Sequence, residues 1–290
     1  MKIKSIAKVV IGALLLGFAL QAGVVVFAVT GEGGASSTSD TAAPAASASE
    51  SAAIAEVQIS QDVLNKIKES DPTHYDRNVT NYKTVVITRD VHQKFKNEID
   101  RLVLAGHRLP DILIAYEYLY HNYGDMSRLE FFVNQKKMGK TWETIFMEYK
   151  QSRGSFVPRD FDSGELAAFI STPGISPDDI MLADRVSFES GKQIDELLRL
   201  KTDNPGRSWK DINAELGILN SASVLPRVKI TAEDMELYLQ SGALSRKQIA
   251  EAFVLANKLG VQPKIVIGHV GSGLTEEAVF AEILQSKLDS

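Results

Sequence analysis

The sequence predicts an all-α protein: three tandem helical repeat units of about 68 residues, set behind an N-terminal apolar segment and a disordered linker. Three observations predict it. A short phrase is written twice, as "GKTWETI" at 139–145 and "GRSWKDI" at 206–212. Isoleucine and alanine anchors return at one period along the chain. Helix-capping residues stand at matching places inside each period.

The first element is residues 1–29. Lys2, Lys4 and Lys8 precede "VVIGALLLGFALQAGVVVFA" at 9–28, which holds no charge and one Gln. A signal peptide has an apolar stretch of about 7–15 residues and a membrane span needs about 20. The segment is therefore a signal peptide or an N-terminal membrane anchor, with the lysines cytoplasmic and the rest carried across. "LQA" and "VFA" offer cleavage sites after Ala22 and Ala28. The expected location is the cell membrane, through one transmembrane helix with the C-terminal part outside, or secretion if the segment is cut.

Residues 30–54 are almost entirely Gly, Ala, Ser, Thr and Pro. They cannot bury enough surface to offset their ordering entropy, so they read as a flexible linker. A prelude follows at 55–86, with one helix at about 61–69 and a short strand at "KTVVIT", 83–88.

The repeat units are 87–156, 157–228 and 229–290. Ile112 and Ala115 match Ile180 and Ala183, and Ile249 and Ala252 keep that spacing. Ile112 to Ile180 is 68 positions and Ile180 to Ile249 is 69. Gly124 to Trp142 and Gly191 to Trp209 are both eighteen, allowing one extra residue before Gly124. In the third unit Leu274 stands near the tryptophan position. Each unit opens from a β-branched residue through a polar cap into a short helix. Ser176-Pro177-Asp178-Asp179, Ser208 with Asp211, and Ser245 with Gln248 are N-terminal caps. Gly124, Gly191, Gly217, Gly242 and Gly260 fit left-handed C-caps. Four helices per unit follow. Stacked units of this kind touch mainly their neighbours, so residues 55–218 should fold without the third. Trp142 with Ile145, and Trp209 with Ile212, are the structural core of each last helix.

Composition narrows function. The chain has 290 residues, is 44% hydrophobic, and carries a net charge of −5. It has no cysteine, which excludes disulfides, thiolate catalysis and Cys-ligated zinc. An acidic, exported chain offers no field for nucleic acid. "KKMGKT" at 136–141 lacks the first glycine of a phosphate loop, and "GHVGSG" at 268–273 reads as a connector. Glu189 in "SFESG" reads as a solvated helix end rather than a catalytic acid. The five histidines show no ligand spacing, and no catalytic, metal or cofactor residues are assigned. Asn78-Val79-Thr80 matches a glycosylation tripeptide.

One helix, "AYEYLYHNY", is tyrosine-rich. Tyr116, Tyr120 and Tyr123 fall on one face at i, i+4 and i+7, the spacing of core or inter-unit packing. Tyr118 lies off that stripe and is open to exposure. Tyrosine is favoured at interfaces, so these four form the candidate interaction surface.

The unit Ile-x-x-Ala, Gly, then Gly-x-[Ser/Thr]-Trp-x-x-Ile and a final Leu-Gly resembles helical repeats in uncharacterised exported proteins of Gram-positive, Bacillus- or Clostridium-like bacteria, over about 87–288. The resemblance implies secretion and a repeat fold, and no activity; the third unit departs from it in lacking Trp. The expected function is a binding or scaffolding module at the cell envelope, tethered through the N-terminal segment, with an envelope protein or cell-wall component as partner. The alternative is a small envelope enzyme such as a peptidoglycan hydrolase, which should break the repeat with an ionisable cluster.

Overall fold

A computed structural model describes residues 25–29, 52–204, 206–240 and 242–289. The expectations for residues 1–24 and for most of the linker lie outside these residues. The described chain is mainly helical, as expected. Among the described residues no helix is long and apolar enough to cross a membrane. Val25–Val29 (β1) pairs in parallel with Arg227–Thr231 (β2), Val25 opposite Arg227 and Val29 opposite Thr231.

The prelude forms two helices, α1 (Gln61–Ser70) and α2 (Tyr75–Thr88). The strand expected at 83–88 is the last turns of α2. Asn78, Tyr82 and Val85 are buried along it, at i, i+4 and i+7. That helical stripe, packed on the core, overrides the β-branched run that suggested a strand. Asn78 is 1% exposed, so the folded chain presents no glycosylation site there.

Twelve helices follow, four in each predicted range. The first range holds α3 (Gln93–Leu104), α4 (Leu109–His121), α5 (Ser127–Lys137) and α6 (Trp142–Arg153). The second holds α7 (Ser163–Ser171), α8 (Pro177–Ser190), α9 (Ile194–Thr202) and α10 (Trp209–Leu216). The third holds α11 (Ala232–Leu239), α12 (Arg246–Leu259), α13 (Pro263–Gly271) and α14 (Glu276–Asp289). Ser176, Ser208 and Ser245 each accept from the third residue's N–H, which returns a bond through Asp179, Asp211 or Gln248. "GHVGSG" is less a connector than expected, because α13 runs through Gly271. Gly139 and Thr141 of "KKMGKT" form the turn and N-cap of α6.

All six anchors, Ile112, Ala115, Ile180, Ala183, Ile249 and Ala252, are buried. So are Trp142, Ile145, Trp209 and Ile212. Trp209 also donates from Nε1 to Asp179 Oδ1 at 2.7 Å, tying α10 to the cap of α8. Trp142 stacks on Phe146 at 5.5 Å.

Two expected correspondences are corrected. Gly124 is not the left-handed cap of α4; Tyr123 takes that conformation with φ 54°. Counted from the anchoring isoleucine, Tyr123, Gly191 and Gly260 hold the same position, eleven residues on. A tyrosine in this region costs about 1–3 kcal/mol. The cost is offset because the Tyr123 ring is buried in the second range's core, beside Ile180, Val186 and Trp209. Gly124 is needed for space: a Cβ there would lie 2.4 Å from Leu119 Cδ2 and 3.0 Å from the Tyr149 hydroxyl. Likewise Leu274 does not hold the tryptophan position. Gly139, Gly206 and Gly273 have φ of 93°, 94° and 93° and each stands two residues before an N-cap. After caps Thr141, Ser208 and Thr275, the first helical residues are Trp142, Trp209 and Glu276.

The arrangement is not a linear stack. α14 packs on α6, α4 and α2, so the third range returns to the first. Val279, Phe280, Ile283, Leu284 and Leu288 share one core with Tyr118, Phe146, Leu113 and Val63. The second range joins the first through backbone bonds, Met126 N–H to Gly217 O at 2.7 Å and Leu219 N–H to Gly124 O at 2.9 Å. The expectation of contacts mainly between neighbours therefore fails.

Candidate functional site

The tyrosine helix is not a surface. Tyr118 is 4% exposed and Tyr116 and Tyr123 are also buried, while Tyr120 is part-buried. Tyr118 stacks on Phe146 at 3.7 Å, nearly parallel, and meets Phe280 edge-on at 5.2 Å. Helix α4 is apolar on almost every side, and such a helix is enclosed by its neighbours.

The polar site lies elsewhere, where the three ranges meet. A cavity of about 90 Å³ is bordered by Tyr149, Lys150 and Arg153 of α6, Arg185 and Glu189 of α8, Glu251 and Lys258 of α12, and Glu276 and Glu277 of α14. Glu189 is not the solvated helix end expected from sequence. Its carboxylate is buried between Arg153 and Arg185, the latter at 2.9 Å. The stretch after α6 brings Phe156 over Arg185.

Arg185 is held rigidly. Its guanidinium lies 4.8 Å from the Phe156 ring, 5.2 Å from Tyr123 and 5.6 Å from Phe188. It donates to Asn122 O at 2.6 Å. Burial, then the Arg153 charge, push its pKa down to about 10. Arg153 lies over the Tyr149 ring at 4.8 Å and donates to that hydroxyl. At the mouth, Lys150 pairs with Glu276 at 3.0 Å and Glu277 at 2.6 Å. Burial alone would lower Lys150, but these carboxylates raise it to about 12.

Two carboxyls of the cavity diverge. Glu251 is pushed up by burial, against the pull of Lys247. Glu276 is lowered: burial raises it, and Lys258 and Lys150 outweigh that effect. The Glu276 side chain is 48% exposed, so it stands at the rim. It occupies the first helical position that Trp142 and Trp209 fill in the other ranges.

A second buried cluster adjoins α4. Arg89 Nε reaches both oxygens of Glu117, at 2.9 and 3.0 Å, and His121 Nε2 lies 3.4 Å from Glu117 Oε2. None of the three lines the junction cavity, and the cluster reads as a structural tie between α2 and α4. Among the described residues no three His, Asp or Glu are grouped to hold a metal ion.

Fold and site together define a mainly helical protein with a charged interior cavity. Comparison with family models, curated proteins and solved structures finds no match to this chain.

Proposed function

We propose that the chain is an exported, membrane-tethered protein of three helical repeat units, acting as a binding or scaffolding module at the cell envelope. The observation that carries the binding role is the convergence of all three ranges on one charged cavity. The matched anchors, caps and left-handed glycines support three copies of one unit. A ring-like closure of the third unit on the first makes a junction that no single unit has, and a junction of rigid elements is a natural ligand site. Export rests on the lysines before the apolar run and on the Gly/Ser/Ala linker.

Location is tested by protease added to intact spheroplasts, with an antibody against the C-terminus. Residues 55–290 should be digested under conditions that spare a cytoplasmic marker. Full protection would end the export reading.

A second reading, a small envelope enzyme, is favoured by one observation. Glu251 is raised and Glu276 lowered within the same cavity, the division of roles that acid–base catalysis uses. On this reading the purified chain releases soluble fragments from peptidoglycan, and Glu251→Gln removes that release at least a hundredfold. A chain that binds wall fragments and releases none is a binding module.

A further inference from the structure

The three central helices carry ionisable side chains in the same register. Nine residues after the anchoring isoleucine stand His121 in α4, Glu189 in α8 and Lys258 in α12. One helical turn earlier stand Glu117, Arg185 and Val254. The first two helices thus pair within themselves, His121 with Glu117 at 3.4 Å and Glu189 with Arg185 at 2.9 Å. The third has valine where the partner would be. Lys258 is 7% exposed and borders the junction cavity. Among the described residues its ammonium has no hydrogen-bond acceptor and no carboxylate at ion-pair distance.

Lys258 has a buried stem and an ammonium that meets the cavity without a direct partner, a partly desolvated charge that an anion entering the cavity would offset. The cavity lining carries four cations, Lys150, Arg153, Arg185 and Lys258, and four carboxylates, Glu189, Glu251, Glu276 and Glu277. Glu189 is taken by Arg153 and Arg185, and Glu276 and Glu277 act on Lys258 only from beyond ion-pair distance. Glu276 and Glu277 are engaged by Lys150 at the mouth, and Glu251 lies 3.7 Å from Lys247. Arg185 Nη1 and Arg153 Nη2 are buried and both pair with Glu189, so the two guanidiniums are already engaged.

We propose that this cavity holds a small carboxylate ligand, its charge taken by Lys258, a proposal that rests on the reading of the junction as a binding site. The cavity's 90 Å³ is about three times one water's share of liquid volume, room for a ligand between acetate and an amino acid in size. In the empty site burial lowers the Lys258 pKa, and Arg185 and Lys150 add to that against Glu276 and Glu277. A bound carboxylate acts in the opposite sense. Binding should therefore weaken as pH rises through the Lys258 titration, while the arginines stay charged.

The test is calorimetric titration of the purified full chain with sodium acetate at pH 7 and low ionic strength, with glycine and inorganic phosphate as parallel arms. Acetate or glycine should bind one to one, and Lys258→Met should weaken that binding at least tenfold. In carboxylate-free buffer Lys258→Met should raise the thermal midpoint, because it removes a buried charge that lacks a partner. A structural lysine would give a lower midpoint or a chain that does not fold, and either result overturns the proposal. So does acetate binding unchanged in Lys258→Met, or phosphate binding tighter than both carboxylates. No binding in any arm, by a chain that spheroplast proteolysis finds outside, sinks this site and leaves the location standing.

Discussion

Deleting residues 229–290 is expected to abolish cooperative folding of what remains. The fragment 55–228 keeps both tryptophans and eight of the twelve helices that follow the prelude. A linear array of units would survive such a cut with modest loss. This chain closes on itself, so the cut removes α14 from the centre of the main core. Val279 and Phe280 are fully enclosed there, and Phe280 meets the rings of Tyr118, Phe146 and His121 edge-on at 5.2, 6.1 and 5.9 Å.

The size of the loss follows from burial. Removing one large aromatic side chain from a core costs about 3–5 kcal/mol. The cut takes Phe280 together with Val279, Ile283, Leu284 and Leu288, which exceeds the whole stability of a typical domain, about 5–15 kcal/mol. It also strips polar ties: Asn81 Nδ2 to Leu288 O at 3.0 Å, and Thr275 Oγ1 to Glu143 Oε1 at 3.1 Å. Circular dichroism should show partial helicity with no sharp thermal transition, and the fragment should bind a hydrophobic dye. Adding 229–290 as a separate polypeptide should restore part of the transition. If 55–228 instead melts cooperatively within a few degrees of the full chain, closure of the third range on the first contributes little and the linear array stands.

That contrast marks where sequence patterns stop being informative. Caps and anchors are local: Ser176 and Asp179, or Gly191 after α8, act within one turn, so their positions could be read from the chain. Burial of Trp142 and Trp209 also followed, since the same residue recurred at the same helical position. Closure depends on contacts between α14 and α6 across more than a hundred residues, and no local pattern encodes it. Tyr118 was legible in principle. "ILIAYEYLY" is apolar on almost every side, Glu117 excepted, which marks an enclosed helix, yet the i, i+4, i+7 stripe drew attention to one face only. The ionisable cluster was scattered: Lys150, Arg185, Glu189, Lys258 and Glu276 sit on four helices and look like ordinary surface charges until those helices meet. The one available signal was comparative. Aligning the three predicted ranges on Gly139, Gly206 and Gly273 puts Glu276 in register with two tryptophans, and a carboxylate where two ranges bury an aromatic asks for a partner.

Replacing Arg89 by methionine is expected to cost about 3–5 kcal/mol at pH 7, the effect of stranding a buried carboxylate. Glu117 is nearly inaccessible on α4, and Arg89 is the fixed cation beside it, with Nε bonded to both carboxylate oxygens. Burial alone would raise the Glu117 pKa; the His121 imidazole 3.4 Å away and the charge of Arg89 overcome it and hold the group at about 2. His121 is itself lowered by burial, so at neutral pH it is uncharged and Arg89 supplies the charge. The sign of the pH dependence follows. A carboxyl held below its ordinary 4.5 adds stability above that pH and loses it as pH falls toward 2. His121, held below 6.5, likewise makes the wild-type chain less stable as pH drops below that value. In Arg89→Met, Glu117 takes up a proton readily, so the gap between variant and wild type should narrow between pH 7 and pH 4. Adding Glu117→Leu to Arg89→Met should recover most of the loss at pH 7, because a buried pair replaced whole by apolar groups is often neutral. Urea unfolding of the three variants at both pH values measures each quantity. A loss below about 1 kcal/mol, independent of pH, is the behaviour of an exposed pair and would remove this cluster as the tie between α2 and α4.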